Sequence, residues 1–511
     1  MMTSASATTK ATRNRWYQIA LVGVALVTVF MLLYRLDSYP APWYDEGSHL
    51  HVAKNFALYG VYADSSSEGY RPFGPAIGVG PTVLLPIAFA FKLFGVGIPL
   101  ARLVIVLYAL GAVVAFYGLA RLFLREWFAL AALVLMLLSP GVDFFFHART
   151  VLGEIPGLFF LTAALWLWLR PGVRGIPALL GVGVLMGLAS ITKNQFAMFI
   201  LPSLLLAWIT DLVWYRQRGW KHFVIPGVVA GVLFGAWLAF VVLKLGGGDT
   251  LAENLATLKV ASSGAFLILK PATIERALRF LVDASVYGAL ALGFIGHGIF
   301  LSLPRTDNGQ RSGTLMIFIS IGLAFFVASL GWPRYAFGPL VLLAIVGLRA
   351  AQDLVGELPR MDALFTEGRA TGKAKWALVL GWSLPALIFP IYTNVSNLRS
   401  GGDNASYSVA AWVDANVPQG ALIETWEQDL GVLSNANFHY PPQISLAHAV
   451  AHTWEGGAPA ADQYDFREFN PDYVIVGPFG IYTSMYPEDR LSDYNLIETI
   501  GSYQIYGHNT P

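Results

Sequence analysis

The stretch Pro40-Ala-Pro-Trp-Tyr44-Asp45-Glu46-Gly47-Ser48-His49-Leu50-His51 follows directly on an apolar run over residues 17–34. That run is nearly as long as a helix that crosses a bilayer core, which takes roughly 20 residues. The adjacent carboxylates of Asp45 and Glu46 therefore lie where a hydrophobic helix leaves the membrane. A simpler interpretation is that Asp45 only caps a helix that begins here, and the rest of the chain bears on that choice.

The composition is that of a polytopic membrane protein. Of the 511 residues, 56% are hydrophobic and 13% are charged, whereas a soluble chain carries about 25% charged residues. The formal net charge of +1 argues against nucleic acid as a partner. Because the chain has no cysteine, disulfides and thiolate metal sites are excluded.

The first membrane helix is expected to be a retained signal anchor. Residues 1–14 are polar, basic residues precede the apolar run, and no small-residue cleavage site follows it. We therefore expect a cytoplasmic N-terminal tail. Ten further apolar runs are candidate spans, at 98–122, 127–141, 157–169, 176–192, 196–215, 222–245, 279–303, 313–331, 336–350 and 376–393.

Residues 75–95 are an ambiguous span, because this apolar run is interrupted by prolines and glycines and carries Lys92. The distribution of basic residues in the loops decides whether it crosses the membrane. If it does not cross, the basic short loops after it all share the side of the N-terminus, which is the positive-inside pattern. If it crosses, that pattern breaks. The sequence therefore predicts eleven spans, with 75–95 as a juxtamembrane or re-entrant segment of a long first external loop over 35–97.

Seven charged residues collect at the outer ends of these spans: Asp45, Glu46, Arg71, Arg149, Glu154, Lys193 and Arg334. Taken singly, a basic residue here can be a snorkelling side chain, and Glu154 an anion that favours a helix N-terminus. Charges grouped at membrane depth more often line a substrate path. Arginine and lysine bind phosphate, and a carboxylate can take the proton of an attacking hydroxyl. This combination fits glycosyl transfer from a polyprenyl-phosphate sugar.

The transmembrane part, about residues 15–395, resembles the GT-C glycosyltransferases of the protein O-mannosyltransferase and lipid A aminoarabinose transferase (ArnT-like) branch. An Asp-Glu pair early in the first external loop is matched by Asp45-Glu46. The other matching motifs are Arg71-Pro72, Lys92-Leu-Phe-Gly95, Arg149 followed by Glu154, Gly187-Leu-Ala-Ser-Ile-Thr-Lys193 and Arg334-Tyr335. The branch often has aspartate where this chain has Glu154.

The resemblance implies a membrane glycosyltransferase with an inverting single displacement. Asp45 would be the general base, and Glu46 would orient the acceptor or the donor sugar. The donor phosphate would bind to Arg71, Lys193, Arg334 and Tyr335. Sugar-pocket and substrate contacts would come from Glu154, Arg149, Tyr44 and His49.

No cofactor is expected, since cations can neutralise the leaving phosphate. His49 and His51 stand two positions apart, which points their side chains away from each other on a helix, so we expect no metal site there. The expected partners are a polyprenyl-phosphate sugar donor, an acceptor on protein, lipid or polysaccharide, and membrane lipid.

Residues 396–511 change character, with short β-like pieces and few long apolar runs, and predict a small α/β extracytoplasmic domain. We expect the protein in the plasma (inner) membrane of a prokaryote. A lipid-linked-sugar transporter, flippase or non-catalytic binding protein is the alternative, although no internal repeat is evident. The sequence leaves the sugar and the acceptor open.

Overall fold

The computed structural model describes residues 3–72, 78–173, 175–245, 251–252, 255, 267–283, 290–356 and 370–508. Its helical part begins with α1 (Thr3–Leu33), so the helix starts within the predicted polar tail. The helices that follow are α2 (Tyr44–Tyr59), α3 (Pro81–Phe94), α4 (Ile98–Ala120), α5 (Glu126–Leu138), α6 (Phe144–Ala148), α7 (Glu154–Trp168), α8 (Ile176–Thr192), α9 (Asn194–Thr210), α10 (Lys221–Phe240), α11 (Pro271–Asp283), α12 (Leu290–Ser302), α13 (Asp307–Ala328), α14 (Phe337–Val355) and α15 (Ala370–Ser400).

Within the described residues, every apolar run singled out in the sequence lies largely on helix, and the run 279–303 falls on two helices, α11 and α12. In the same part of the chain, six helices are long and apolar enough to cross a membrane, and several shorter apolar helices pack beside them. Their outer faces carry exposed Leu26, Phe30 and Val232. Helices that form their backbone hydrogen bonds internally and expose large apolar surfaces are typical of proteins that lie in lipid.

The segment over 75–95, of which residues 78–95 are described, is held against the turn between α8 and α9. Gly80 donates its N–H to the Thr192 carbonyl at 2.9 Å, and Asn194 donates to the Gly78 carbonyl at 3.4 Å. A Cβ on Gly80 would lie 1.8 Å from the Ile191 carbonyl oxygen, so only glycine allows this approach. The segment continues as α3, which packs on α2 and α4.

Residues 401–508 form a five-stranded sheet with helices around it. The helices are α16 (Ala405–Asn416), α17 (Leu430–Leu433), α18 (Ile444–Glu455) and α19 (Pro478–Tyr482). The strands, after a separate hairpin of β1 (Ala63–Ser66) and β2 (Gly69–Pro72), are β3 (Leu422–Thr425), β4 (Asn437–His439), β5 (Tyr473–Val476), β6 (Tyr494–Ile500) and β7 (Tyr503–His508). The order is β4-β3-β5-β7-β6, with β3 parallel to both neighbours and β7 antiparallel to both of its own.

This C-terminal unit docks on α2 and on the β1–β2 hairpin. Gly47 lies so close to the chain at Asp429 that a Cβ on it would sit 2.2 Å from the Asp429 nitrogen. The hairpin adds a hydrogen bond from Ser67 N–H to the Phe438 carbonyl at 2.8 Å. The predicted first external loop and the C-terminal unit thus form one packed layer beside the helix ends.

Candidate active site

A cavity of about 460 Å³ lies between the helix ends and the C-terminal unit, a volume within the usual range of ligand sites. Asp45, His147 and Arg334 line it from the helical side, and Trp454 of α18 and Phe479 of α19 line it from the other. The cavity therefore lies where the predicted external loop over 35–97 and the segments at 140–147 and 332–334 meet the C-terminal unit.

Asp45 and Arg334 form an ion pair at this cavity. Arg334 Nη1 donates to Asp45 Oδ2 at 2.5 Å, and each side chain keeps about a quarter of its surface exposed, 24% and 23%. Asp45 lies in the first turn of α2, where an anion is favoured, but the residue before the helix is Trp43 and no side chain caps it. The capping interpretation thus does not account for where the Asp45 carboxylate points.

Glu154 and Lys193 form a second pair, which is buried behind the first. Gly153 makes room for it, because a Cβ there would lie 2.9 Å from Lys193 Cδ. One Glu154 oxygen, Oε1, accepts from Lys193, whereas Oε2 has no hydrogen-bond partner in the described part of the chain. Buried polar atoms without a partner are rare, so this oxygen marks a place where a bound group or a water is expected.

The two pairs are linked electrostatically, since Arg334 interacts with the carboxylates of both Asp45 and Glu154. His147 of α6 interacts electrostatically with the same charges. Its burial lowers the pKa of the imidazole to about 4, so this side chain is neutral at physiological pH. The structure therefore brings together four of the predicted site residues, two carboxylates and two cations, although they come from four distant parts of the sequence.

Glu46 points elsewhere. Its carboxylate receives Arg102 Nε at 2.9 Å and Arg102 Nη2 at 2.6 Å, together with the Val151 N–H at 3.1 Å, and both side chains are fully buried. Arg102 also donates to the Leu36 carbonyl at 3.0 Å. The structure thus gives Glu46 a bracing position beside Asp45 and not one in the cavity. Arg102 was not among the predicted site residues; the signal was an arginine within the apolar run 98–122, well before the basic end of the run at Arg121, because charged residues in such runs usually have a partner.

The Arg149 guanidinium is hydrogen-bonded to backbone carbonyls, and Arg149 does not line the cavity. The guanidinium donates to five oxygens at the end of α1 and in the turn after it, those of Met31, Leu32, Tyr34, Arg35 and Tyr39. The last carbonyls of a helix lack partners within the helix. Arg149 therefore caps α1, and the predicted sugar-pocket role has no contact to support it.

Arg71 is likewise held by protein groups. It pairs with Asp64 across the hairpin at 2.5 Å and donates to the carbonyls of Tyr440 and Pro441 at 3.3 and 2.9 Å. Its guanidinium also lies over the Tyr440 ring. These contacts attach the hairpin to the C-terminal unit, and Arg71 does not line the cavity.

The remaining predicted residues surround the cavity without lining it. Tyr44 stacks on Phe479 with ring centroids 3.8 Å apart, and buried Tyr335 packs between neighbouring aromatic rings. His49 Nδ1 is 2.7 Å from the Val151 carbonyl oxygen. Within the described ranges, no cluster of three His, Cys, Asp or Glu side chains has the arrangement of a metal site.

The glycine-rich, aperiodic sequence of residues 246–278 predicts a cover over the site, and much of this segment, including Lys259, lies outside the described residues. The described end contributes α11. Arg276 of this helix donates to the Trp454 carbonyl at 3.2 Å and lies over the Trp454 ring, and Phe280 lines the cavity. This helix therefore forms a third side of the cavity.

Known proteins share this fold. Residues 78–240 match the family described as dolichyl-phosphate-mannose-protein mannosyltransferase. The structure is similar to ArnT from Cupriavidus metallidurans in the apo state, with a TM-score of 0.61 at 15% identity over 97% of this chain and 98% of ArnT. ArnT bound to undecaprenyl phosphate also gives 0.61, at 14% identity over 96% and 97%.

A third similar structure is the archaeal oligosaccharyltransferase AglB from Archaeoglobus fulgidus, in complex with an inhibitory peptide and a dolichol-phosphate. The TM-score is 0.58 at 14% identity, over 98% of this chain and 75% of AglB. No curated protein sequence matches this chain. The resemblance predicted from the motifs is confirmed, because the family match and the folds agree on it.

Proposed function

We propose that this chain, which has the helical membrane fold of the GT-C glycosyltransferases, transfers a sugar from a polyprenyl-phosphate donor to an acceptor hydroxyl at the outer face of the membrane. The observation that carries the proposal is the Asp45–Arg334 pair at the wall of the cavity, backed by Glu154–Lys193. One carboxylate and one cation at the same cavity are what this reaction needs: a proton acceptor and a partner for the departing phosphate.

Asp45 is the proposed general base. As the acceptor oxygen bonds to the anomeric carbon, its proton passes to the Asp45 carboxylate, and the bond from that carbon to the phosphate oxygen breaks. Proton transfer can be late because the anomeric carbon carries oxocarbenium-like charge in the transition state. Attack from the face opposite the leaving phosphate inverts the anomeric centre.

Arg334 and Lys193 are the proposed phosphate partners. Asp45 is the one side-chain acceptor of the Arg334 guanidinium among the described residues, so its other N–H groups remain for phosphate oxygens. Lys193 adds positive charge from behind, and Glu154 holds it there. Charge neutralisation by these two cations requires no metal.

Two neighbours support a lipid-phosphate donor. ArnT from Cupriavidus metallidurans binds undecaprenyl phosphate and AglB from Archaeoglobus fulgidus binds a dolichol-phosphate and a peptide. By analogy we place the donor of this chain in the plasma (inner) membrane, with the C-terminal unit on the extracytoplasmic side. Protein, lipid and polysaccharide are the candidate acceptors.

Asp45→Asn tests the proposal. The full-length protein in detergent is incubated with radiolabelled polyprenyl-phosphate sugars and a membrane extract, and transferred label and free polyprenyl phosphate are measured. Loss of the base should reduce turnover by a factor of about 10²–10⁴, with donor binding retained. Asp37→Asn, at an exposed carboxylate of the same loop, is the matched control and should keep its rate.

Near-normal transfer by Asp45→Asn would remove Asp45 from the mechanism. If the wild-type protein moved labelled lipid across vesicles and never released free polyprenyl phosphate, the transporter alternative would stand instead.

A further inference from the structure

We infer that the cavity takes an uncharged saccharide as the acceptor, held against the wall that the C-terminal unit supplies. The inference rests on the proposed function, which leaves the acceptor open. The wall consists of one face of α18 together with Phe479, Tyr482 and Thr483. Its side chains include Leu446, Val450, Thr453 and Tyr482, and none of the residues it contributes to the cavity is charged.

The charge of the whole lining argues against an anionic acceptor. Asp45 and Asp143 supply two carboxylates, and Arg334 is the one arginine or lysine of the described lining. That arginine is paired with Asp45, and in the proposed reaction its remaining N–H groups bind the donor phosphate, so no cation of the described lining is left for a second anion. A phosphorylated glycolipid would bring further negative charge to a cavity of net negative formal charge, and like charges at short range are repulsive. A neutral acceptor meets no such penalty.

The aromatic content favours a carbohydrate among neutral acceptors. Seven of the twenty lining residues are Trp, Phe or Tyr, whereas these make up 14% of the chain. A sugar ring has an apolar C–H face, which packs on aromatic rings, and a rim of hydroxyls. The Asp143 carboxylate can accept from such hydroxyls, since an ionised carboxylate only accepts.

Two indole nitrogens of the same lining lack an acceptor. Trp43 Nε1 and Trp332 Nε1 are both covered and have no hydrogen-bond partner within the described ranges. Indole N–H is a donor only, so the group that would satisfy it is an oxygen. A hydroxyl or ring oxygen of a bound sugar supplies one after a rotation of the indole.

The wall is poorly suited to an extended peptide. Peptides that bind by their main chain usually add to an open strand edge. The edge strands of the sheet, β4 and β6, do not line the cavity. The wall is built from α18 and α19 instead, and at the start of α19 the N–H groups of Phe479 and Gly480 already donate to the Glu427 carboxylate at 2.9 Å. A saccharide needs no main-chain partner.

Direct binding tests the inference without requiring turnover. The full-length protein in detergent is titrated with neutral gluco-, galacto-, manno- and arabino-oligosaccharides, with a bis-phosphorylated glucosamine disaccharide and with a Ser/Thr-rich peptide, and its tryptophan fluorescence is followed. We expect saturable quenching by at least one neutral oligosaccharide. The phosphorylated disaccharide and the peptide should bind at least about tenfold more weakly.

Variants locate the binding site. Tyr482→Ala and Trp454→Ala should weaken binding of that oligosaccharide roughly two- to tenfold, the range expected for one aromatic contact, and Trp454→Phe should restore part of it. Ile481→Ala is the matched control, since Ile481 is exposed on the same short helix and does not line the cavity.

The outcomes separate this inference from the proposed function. Binding of no neutral oligosaccharide, tighter binding of the peptide or phosphorylated sugar, or an equal effect of Ile481→Ala would overturn the inference. Asp45→Asn should still bind the oligosaccharide, and it should transfer label to it about 10²–10⁴-fold more slowly than the parent. Saccharide binding by a wild-type protein that transfers no sugar would refute the proposed function alone.

Discussion

Four carboxylate–cation pairs in the described part of the chain include residues of the sequence motifs. Arg71–Asp64 attaches the hairpin to the C-terminal unit, and the other three differ in burial. Asp45–Arg334 is partly exposed, Glu154–Lys193 is buried, and Glu46–Arg102 is completely enclosed. A fully desolvated pair holds position well but is costly to break. A partly exposed pair can exchange its partner for a substrate. The difference in burial therefore supports the proposal that Asp45 takes part in the chemistry while Glu46 holds the surrounding structure in place.

Lys193 offers a test that separates bracing from phosphate binding. Lys193→Met leaves Glu154 buried without its cation and should lower the free energy of unfolding by about 3–5 kcal/mol. Lys193→Met with Glu154→Gln removes the unpaired charge and should recover most of that loss. Donor use by the double variant should stay weak, by the roughly 1.5–3 kcal/mol of a lost charged hydrogen bond. Unfolding curves and the donor KM give the two readouts.

Lys92→Met, at an exposed lysine at the end of α3, is the control for removing a positive charge. A double variant with a normal donor KM would show that Lys193 serves only to balance Glu154.

Residue types and spacing could predict the cluster but not each member's partner. Asp45, Glu154, Lys193 and Arg334 were predicted to meet because each stands at the same end of an apolar run. Arg149 satisfied the same criterion, yet it bonds to carbonyls of α1. The local sequence around an arginine at a membrane end does not show whether the side chain contacts a substrate or the end of a helix. Its partner depends on contacts with distant parts of the chain.

At the level of elements, α2 joins the helical part to the C-terminal unit, and Gly47 sets how closely they approach. Gly47→Ala would place a Cβ 2.2 Å from the Asp429 nitrogen, and relieving that clash would require the main chain at Asp429 to move, which is costly. We expect a loss of about 1–3 kcal/mol in stability, as for other overpacked sites, and a lower transfer rate because the cavity lies between these units. Thermal unfolding and label transfer measure the two effects.

Gly231→Ala is the matched control, since Gly231 lies inside α10 and a Cβ there would meet no neighbouring side chain or element within 4 Å. Alanine is the better helix former there, so this variant should be as stable as the parent or more so. Equal behaviour of the two variants would contradict the close docking at Gly47.

Helix α2 should also make the protein sensitive to acid. Burial lowers the pKa of both His49 and His51 from 6.5 to about 4. Because the unfolded chain binds protons more readily, the stabilisation is present above about pH 6.5 and is lost as the pH falls toward about 4. Melting temperatures measured across that range should fall. His51→Gln, which keeps a polar group toward Gln428 and Ser65, should flatten the decline.

His508→Gln, at an exposed imidazole on β7, is the control and should leave the slope unchanged. A pH profile of His51→Gln that coincides with that of the parent would remove His51 as a source of the acid sensitivity.

For the whole molecule, the hydrophobic runs located the long apolar helices, since each run lies on one or two helices of the described residues, but they did not indicate α2, α6 or the helices of the C-terminal unit. Run length was less informative about α5, α7 and α8, which are shorter than a bilayer requires and pack among longer neighbours. The positive-inside count predicted that 75–95 stays on one side, and the contacts of Gly78 and Gly80 with the Lys193 turn are consistent with a segment held at the helix ends. No local pattern specifies such a pairing.

The predicted sidedness can be measured, because the chain has no cysteine of its own. Single cysteines at Ser67 and Ser492, both exposed, should react with an impermeant thiol reagent added outside sealed cells. A cysteine at Gly219, exposed and in a predicted cytoplasmic loop, should react only after the cells are opened. Labelling of position 219 from outside, with 67 protected, would invert the topology.

The Arg149 cap has a consequence for biosynthesis. Helix α1 precedes α4 to α6 in the chain and is therefore synthesised before them, yet the side chain that hydrogen-bonds to its terminal carbonyls lies 118 residues beyond Met31. Until α4 and α5 have been synthesised and α6 has folded back, those carbonyls depend on water or on the insertion machinery. The C-terminal end of α1 is therefore capped only after several later helices have been synthesised. In a truncated chain that stops before Arg149, the last carbonyls of α1 lack this hydrogen-bond donor.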